Sequence, residues 1–368
     1  MNRLLRSSKF IVGVTLVALP LLTALSCPCH AQIKIGAIAS LQGGAAEQGK
    51  NWLDGAMLAV EELNQQGIQS KLIVEDDSTQ SSKAASAFSK LAKIDQVNAV
   101  IGGTWDYLGE AVYPMALKSK LFILTPSNPK ENLSDSAKKN PFVLTNGLSL
   151  AAEERVIEPF LRATKKKKIG IVSVQVPFAT AHSDLIKKVS LSLGLEIVGE
   201  IEISLEDQLS AFKLAAQRIS KKAPEIVYIV ADYNGLDLFM AELENIHASP
   251  VVLTTQHLEG AFELSSKNQA RYKNCFGVHP KYDRTSFDTR FAARFGRSPK
   301  VFAAEGFDAA QFLIRAFHQS PLGPANPAFS YTGLKGEYRL VSGQNSIVNE
   351  QAVIVHIEDG KIVETTNP

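Results

Sequence analysis

The chain has 368 residues, with Lys+Arg 39 against Asp+Glu 37 for a formal net charge of +2, and 45% of its side chains are hydrophobic. That length accommodates two domains of ordinary size, each able to bury a core. The near balance of charge excludes the strongly basic surface that a nucleic-acid or anionic-membrane partner would call for.

Residues 1–31 read as a secretory signal. Arg3, Arg6 and Lys9 form a basic start, Phe10 to Leu25 an apolar run, and Cys29-His30-Ala31 a cleavage site before Gln32. The run is short for a membrane span of about 20 residues and contains Pro20, so export to the periplasm with cleavage is expected. Ala24-Leu25-Ser26 before Cys27 loosely fits a lipidation pattern, which makes a lipid anchor at Cys27 the alternative. Cleavage would bring the formal charge to −1 and leave Cys275 as the single thiol, so no intrachain disulfide could form. Cys275 sits in an expected strand and reads as a small buried apolar residue.

From Ile33 a regular alternation begins. The apolar run Ile33 to Ala39 predicts a buried parallel strand. A turn, Ser40-Leu41-Gln42-Gly43-Gly44, leads from it into a helix with Trp52, Ala56, Ala59, Val60 and Leu63 at helical spacing and Gly67 as its stop. KLIVEDD (71–77), NAVIGG (98–103) and LFILTP (121–126) continue the strands, with helical segments between them. After PFVLTNG (141–147), a second series starts: KIGIVSV (168–174), LEIVGEIEI (195–203), EIVYIVAD (225–232) and PVVLTT (250–255). Alternating β and α predicts two α/β lobes, each a Rossmann-like parallel sheet with right-handed crossovers. Expected crossings between lobes lie at PFVLTNG, near 274–280, and before a closing antiparallel segment with turns at Ser342-Gly343 and Asp359-Gly360. This divides the mature chain into 32–147 plus 278–330 and 148–277 plus 331–368.

The motifs IKIGAIASLQG, EQGKNWLDGAMLAVEELN, VEDDST, AVIGG, LTPSNP, GFDAA (306–310), TGLKGEYRL and IEDGKIV stand in one order along the chain. In that order and spacing the chain resembles the type I periplasmic solute-binding proteins of the branched-chain amino-acid class. The resemblance implies a two-lobed clamp with three hinge crossings that closes on a small solute and delivers it to an ABC permease. It implies no enzyme activity and no cofactor. A monomer is the default for such a shuttle.

Closure requires the solute to interact with both lobes, since only differential affinity for the closed state shifts the equilibrium. The candidates therefore lie in loops after the strands, where helix N-termini also favour a carboxylate. In the first lobe these are Gln48, Thr104, Trp105, Asp106, Ser127 and Asn128; in the second, Phe178, Asp232, Tyr233 and Gln256. The resemblance gives Thr104 and Ser127 the role of holding a ligand carboxylate. It places Phe178-Ala179 where relatives often carry Tyr-Gly, and Gln256 where amino-acid binders place an acid for the ammonium. Either Asp232 or Asp106 supplies that charge, or the solute is not an α-amino acid. Asp232 is equally a helix N-cap, and Trp105 could simply pack at the lobe surface.

Other chemistry is not indicated. The seven histidines are scattered, so no metal site is expected, and there is no GxSxG elbow, GxxxxGK[ST] loop or GxGxxG turn. His257 reads as a satisfied polar residue, Lys165 to Lys168 as a solvated turn, and Asp76 and Asp77 as strand-end caps. Two rivals share the sequence evidence. One is a ligand-sensing or envelope-regulatory (lipo)protein on the same fold; the other, an exported α/β enzyme, would need a nucleophile or acid–base pair in the cleft.

Overall fold

A computed structural model describes residues 32–204, 209–265, 267–340 and 351–366. The expected signal, Cys27 and the expected turn at Ser342-Gly343 lie outside the described residues. Strand β1 (Ile33–Ala39) is buried almost throughout, because helices cover both faces of its sheet. It leads into α1 (Ala46–Gln65), which buries Trp52, Ala56, Ala59, Val60 and Leu63 as the spacing predicts. Gly67 follows at φ +86°, the left-handed geometry that glycine adopts without strain. Next come β2 (Ser70–Asp76), α2 (Ser81–Lys90) with a π-turn at Leu91–Asp95, β3 (Ala99–Gly102), α3 (Asp106–Glu110), α4 (Tyr113–Ser119), β4 (Phe122–Thr125), α5 (Asp135–Lys138) and β5 (Val143–Thr145). The five strands are parallel in the order β2-β1-β3-β4-β5.

The second lobe repeats the plan. It contains α6 (Leu150–Thr164), β6 (Lys168–Val174), α7 (Pro177–Leu193), β7 (Glu196–Ile203), α8 (Ser210–Ser220), β8 (Ile226–Val230), α9 (Tyr233–Asn245), β9 (Val251–Thr254), α10 (Leu258–Leu264) and β10 (Cys275–Pro280). Its parallel strands run β7-β6-β8-β9-β10, the same permutation as in the first sheet. The chain then returns to the first lobe as α11 (Arg284–Phe295) and α12 (Ala303–Gln319), followed by a hairpin of β11 (Tyr331–Thr332) and β12 (Glu337–Tyr338). Finally β13 (Ala352–Glu358) and β14 (Lys361–Thr365) add two antiparallel strands beside β10.

Two expected lobe boundaries move. The one at 277/278 falls inside β10, which belongs wholly to the second sheet, so the return passage is at 281–283. The one at 330/331 falls too early: Tyr331, Leu334, Tyr338 and Leu340 pack into the apolar cluster of the first lobe. The physical reason is Asp308 on α12. Its buried carboxylate accepts hydrogen bonds from the Leu334 amide (2.8 Å), the Lys335 amide (3.0 Å) and the Tyr338 hydroxyl (2.6 Å), which fastens the hairpin to that lobe.

The first lobe is also tied to the hinge. Buried Lys335 lies 3.2 Å from Glu305 and donates to the carbonyl of Asn146 at 2.5 Å, while the Asn146 amide donates to the Glu305 carbonyl at 2.9 Å. Asn146 is the first residue after β5, where the chain leaves for the second lobe. α1 and α12 cross in close approach: a Cβ on Gly306 would overlap the Trp52 carbonyl, 2.6 Å from its carbon, and one on Gly55 would lie 2.9 Å from the Ala303 carbonyl carbon. Glycine is required at both positions by lack of space.

Candidate functional site

In a 2-1-3-4-5 sheet the strand order reverses between the first and third strands, and the loops leaving that point splay apart to form a crevice. Both sheets have such a point, at β1/β3 and at β6/β8, and between them lies a cavity of about 280 Å³. Of the residues expected at the site, Gln48, Thr104, Trp105, Asp106, Ser127 and Asn128 line it from the first lobe, and Phe178 and Asp232 from the second. The other two are elsewhere. Tyr233 is the first residue of α9 and packs behind the wall against His257, with ring centroids 5.2 Å apart. Gln256 lines a smaller neighbouring cavity with Glu259, His279 and Arg284.

The first-lobe wall is a chain of hydrogen bonds that starts in the core. The buried indole of Trp52 donates to the Thr104 hydroxyl at 3.1 Å. The Ser127 hydroxyl donates to the Thr104 carbonyl at 2.7 Å, and the Asn128 amide donates to the Gly103 carbonyl at 3.1 Å. Trp105 donates through its indole nitrogen to Gln48 at 2.7 Å, so its ring is fixed in the wall rather than packed loosely on the surface. Asp76 and Asp77 brace the turn after β1: Asp76 accepts from the Leu41 amide and Gln42, and Asp77 accepts from the Ser40 hydroxyl at 2.7 Å.

The second-lobe wall is mostly apolar, formed by Val174, Val176, Ile203, Phe212 and Val230, with Phe178 at the start of α7. These residues were missed from sequence because an apolar residue at a strand end looks like core. Phe302, also in the wall, takes φ +69° just before α12, a strained backbone for an aromatic residue and common at functional sites. Leu209 and Ser204 complete the rim. Behind Phe178 lies a buried His–Glu pair. His182 places its ring 4.1 Å from that of Phe178, with Nδ1 2.8 Å from the Phe178 carbonyl and Nε2 3.1 Å from Glu153.

The lobes meet at several places, among them the ion pairs Arg284–Glu259 at 2.7 Å and Lys300–Glu263 at 3.1 Å. The Phe178 amide approaches the Asp106 carboxyl across the cleft, although Asp106 Oδ2 is buried without a hydrogen bond of good geometry. Residues Lys130–Asn132 of the first lobe pack against α7 of the second. Burial raises the Asp106 pKa above its ordinary value, with the Tyr107 and Phe178 amides opposing. Asp232 caps α9 by accepting from the Gly235 amide at 2.8 Å, and the helix begins at Tyr233. His257 contacts the Thr255 hydroxyl at 2.9 Å, and burial pulls its pKa down to about 4, so the imidazole is neutral at pH 7.

A larger cavity, about 490 Å³, lies between α6 and β13–β14, lined by Arg155, Phe160, Lys281 and Glu364. Its walls come from the second lobe and the hinge residue Lys281, so a molecule there would not bridge the lobes. Among the described residues no group of three or more His, Cys, Asp or Glu is placed to hold a metal, and no helix is long and apolar enough to cross a membrane.

A sequence profile of periplasmic binding proteins matches residues 32–351. The chain belongs to the periplasmic binding protein family. A Leu/Ile/Val-binding protein of Rhizobium johnstonii is 25% identical over 228 residues, which is 61% of this chain and 61% of that protein. The branched-chain amino acid transporter substrate binding protein of Streptococcus pneumoniae, solved with isoleucine, is 18% identical and superposes with a TM-score of 0.76 over 91% of this chain and 100% of that one. A solute binding protein from R. palustris, solved with benzoate, is 19% identical, with a TM-score of 0.77 over 90% of this chain and 95% of that one. At such identities the two structures establish the shared two-lobed fold.

Proposed function

We propose that this chain is the periplasmic solute-binding protein of an ABC importer, holding a small solute of the amino-acid, carboxylate or amide type between two closing lobes and presenting it to a permease. The observation that carries this reading is the cavity walled by residues from both sheets, with Thr104, Ser127 and Asn128 on one side and Phe178 and Asp232 on the other. A solute gripped from both sides stabilises the closed arrangement by its differential contacts. The volume, about 280 Å³, is at or below the lower end of the ~300–1,000 Å³ of drug-sized sites, which suits a metabolite.

Binding rather than catalysis is supported by the state of the polar groups. The Ser127 hydroxyl donates to backbone carbonyls, not to a base, and the neutral His257 is held by Thr255. The chain's two tryptophans make the test simple. Trp52 is fully buried and Trp105 lines the cavity. Titration with amino acids, short amides and small carboxylates should change the fluorescence in a saturable way, and Trp105→Phe should remove most of the change. A broad solute screen with neither a fluorescence change nor a thermal shift would refute the proposal.

A further inference from the structure

Helix α10 of the second lobe carries Glu259 and Glu263, whose i and i+4 positions put them on one face. Each carboxylate reaches a cation of the first lobe. Glu259 lies 2.7 Å from Arg284, the first residue of α11, and Glu263 lies 3.1 Å from Lys300, in the loop between α11 and α12. These four side chains stand outside the residues that line the central cavity. The pairs therefore join the lobes without touching a solute held there.

Both cations also have an acid on their own lobe. Lys300 is 3.0 Å from Glu47 in the first turn of α1, and Arg284 is 3.9 Å from Asp288, one turn further along α11. When the lobes part, Lys300 keeps Glu47 and Arg284 keeps Asp288. An ion stripped of every partner in a buried setting would make separation costly, and these own-lobe acids remove that cost. Exposure acts in the same direction. The Arg284 and Glu259 side chains are each 22% exposed, and those of Lys300 and Glu263 are 28% and 33% exposed, so water and salt reach both pairs and keep them near the modest strength of surface ion pairs. Contacts of that strength bias an equilibrium without locking it.

We infer that Glu259 and Glu263 form an electrostatic latch: closing adds a second carboxylate to Arg284 and to Lys300 across the cleft, and this raises the closed fraction before a solute arrives. The inference rests on the reading of the central cavity as the solute site and adds a control on its affinity from outside the cavity. Apparent affinity scales with the population of the binding-competent arrangement. The latch thus tunes every uncharged or zwitterionic solute by the same factor.

The test is small-angle X-ray scattering of the full mature protein after exhaustive dialysis, with salt raised from about 20 to about 500 mM NaCl to shorten the screening length from roughly 20 to roughly 4 Å. The solute-free parent should expand as salt rises. Glu259→Gln combined with Glu263→Gln should lower the closure constant about fivefold, so this variant is already expanded at low salt and responds less to added salt. Glu61→Gln, which removes the Arg294 pair inside the first lobe, should keep the parent's response. Circular dichroism checks folding, and the two single variants replace the double variant if it does not fold. A parent whose scattering ignores salt overturns the inference, and so does a folded latch variant that scatters like the parent at low salt. Titration with isoleucine, leucine and benzamide, followed by Trp105 fluorescence at low salt, judges the reading beneath it separately. Solutes that bind the parent should bind the double variant more weakly, by factors that agree within about twofold; factors that differ more widely overturn a latch acting from outside the cavity. If scattering responds as expected and no solute binds, the latch stands and the solute-binding reading falls.

Discussion

Replacing Gly306 with Ala tests the crossing of α1 and α12 on which the first lobe is built. In an ordinary exposed helix this change stabilises by about 1 kcal/mol, because glycine is the poorer helix former. Here the added methyl would lie 2.6 Å from the Trp52 carbonyl carbon and 2.9 Å from its Cα, whereas carbon atoms pack best at about 3.5–4.0 Å. The obstructing atoms are backbone, so no rotamer change relieves the overlap. The helices must separate by about 1 Å. Such overpacking costs about 1–3 kcal/mol, and rigid neighbours place this site near the top of that range. With the helix-propensity gain subtracted, the net loss is about 2 kcal/mol, or about 4 °C in Tm at 2 °C per kcal/mol for a large domain. Differential scanning calorimetry measures it, with Lys50→Ala on the exposed face of α1 as a control expected to stay within about 0.5 kcal/mol. The sign decides. A Gly306→Ala protein as stable as the parent, or more stable, would refute the close approach.

Two further expectations concern buried charge. Burial alone would lower the pKa of His182, but Glu153 at 3.1 Å, the Phe178 carbonyl and Glu131 of the opposite lobe outweigh it, so the pKa is raised. The stability this contributes is complete below the unfolded-state value of about 6.5 and is lost as pH rises through the higher folded value, at up to about 1.4 kcal/mol per pH unit. Urea unfolding between pH 6 and 9 should show that decline and Glu153→Gln should flatten it; an identical slope in the variant would rule the pair out as its source. Asp308→Asn removes one of two carboxylate oxygens that together accept from Leu334, Lys335 and Tyr338. It should cost about 2 kcal/mol and speed hydrogen exchange at the Leu334 and Lys335 amides, and unchanged exchange there would count against the anchoring role.

Much of the fold was legible because a parallel strand covered on both faces must be apolar throughout. KIGIVSV coincides with β6 from Lys168 to Val174, and Gly194 ends α7 at φ +65° as a helix stop should. The first-lobe side of the cavity was legible for a related reason: polar residues just after an apolar strand, such as Thr104 and Ser127, stand out. The second-lobe side was not. Val174, Phe212 and Val230 look like core from sequence, and only the apposition of two sheets makes them a wall. Gln256 was off by one residue, since in the loop after β9 it is the neighbouring His257 that lines the cavity, while Gln256 lines the smaller one beside it. The hairpin at 331–338 lay in a segment read as antiparallel from its alternation, but neither its own turn nor its host was legible, because the carboxylate that holds it is contributed by Asp308 on α12.

Cys275 has a practical use that follows from its position. It is wholly enclosed in β10, and burial pushes its thiol pKa far above the ordinary value. A chain beginning at Gln32 would thus carry a single sulfhydryl that maleimide dyes do not reach in the folded state. Paired reporter cysteines at exposed Tyr107 and Leu209, one on each lip of the cleft, could be labelled without background, turning the opening and shutting of the jaws into a distance readable one molecule at a time.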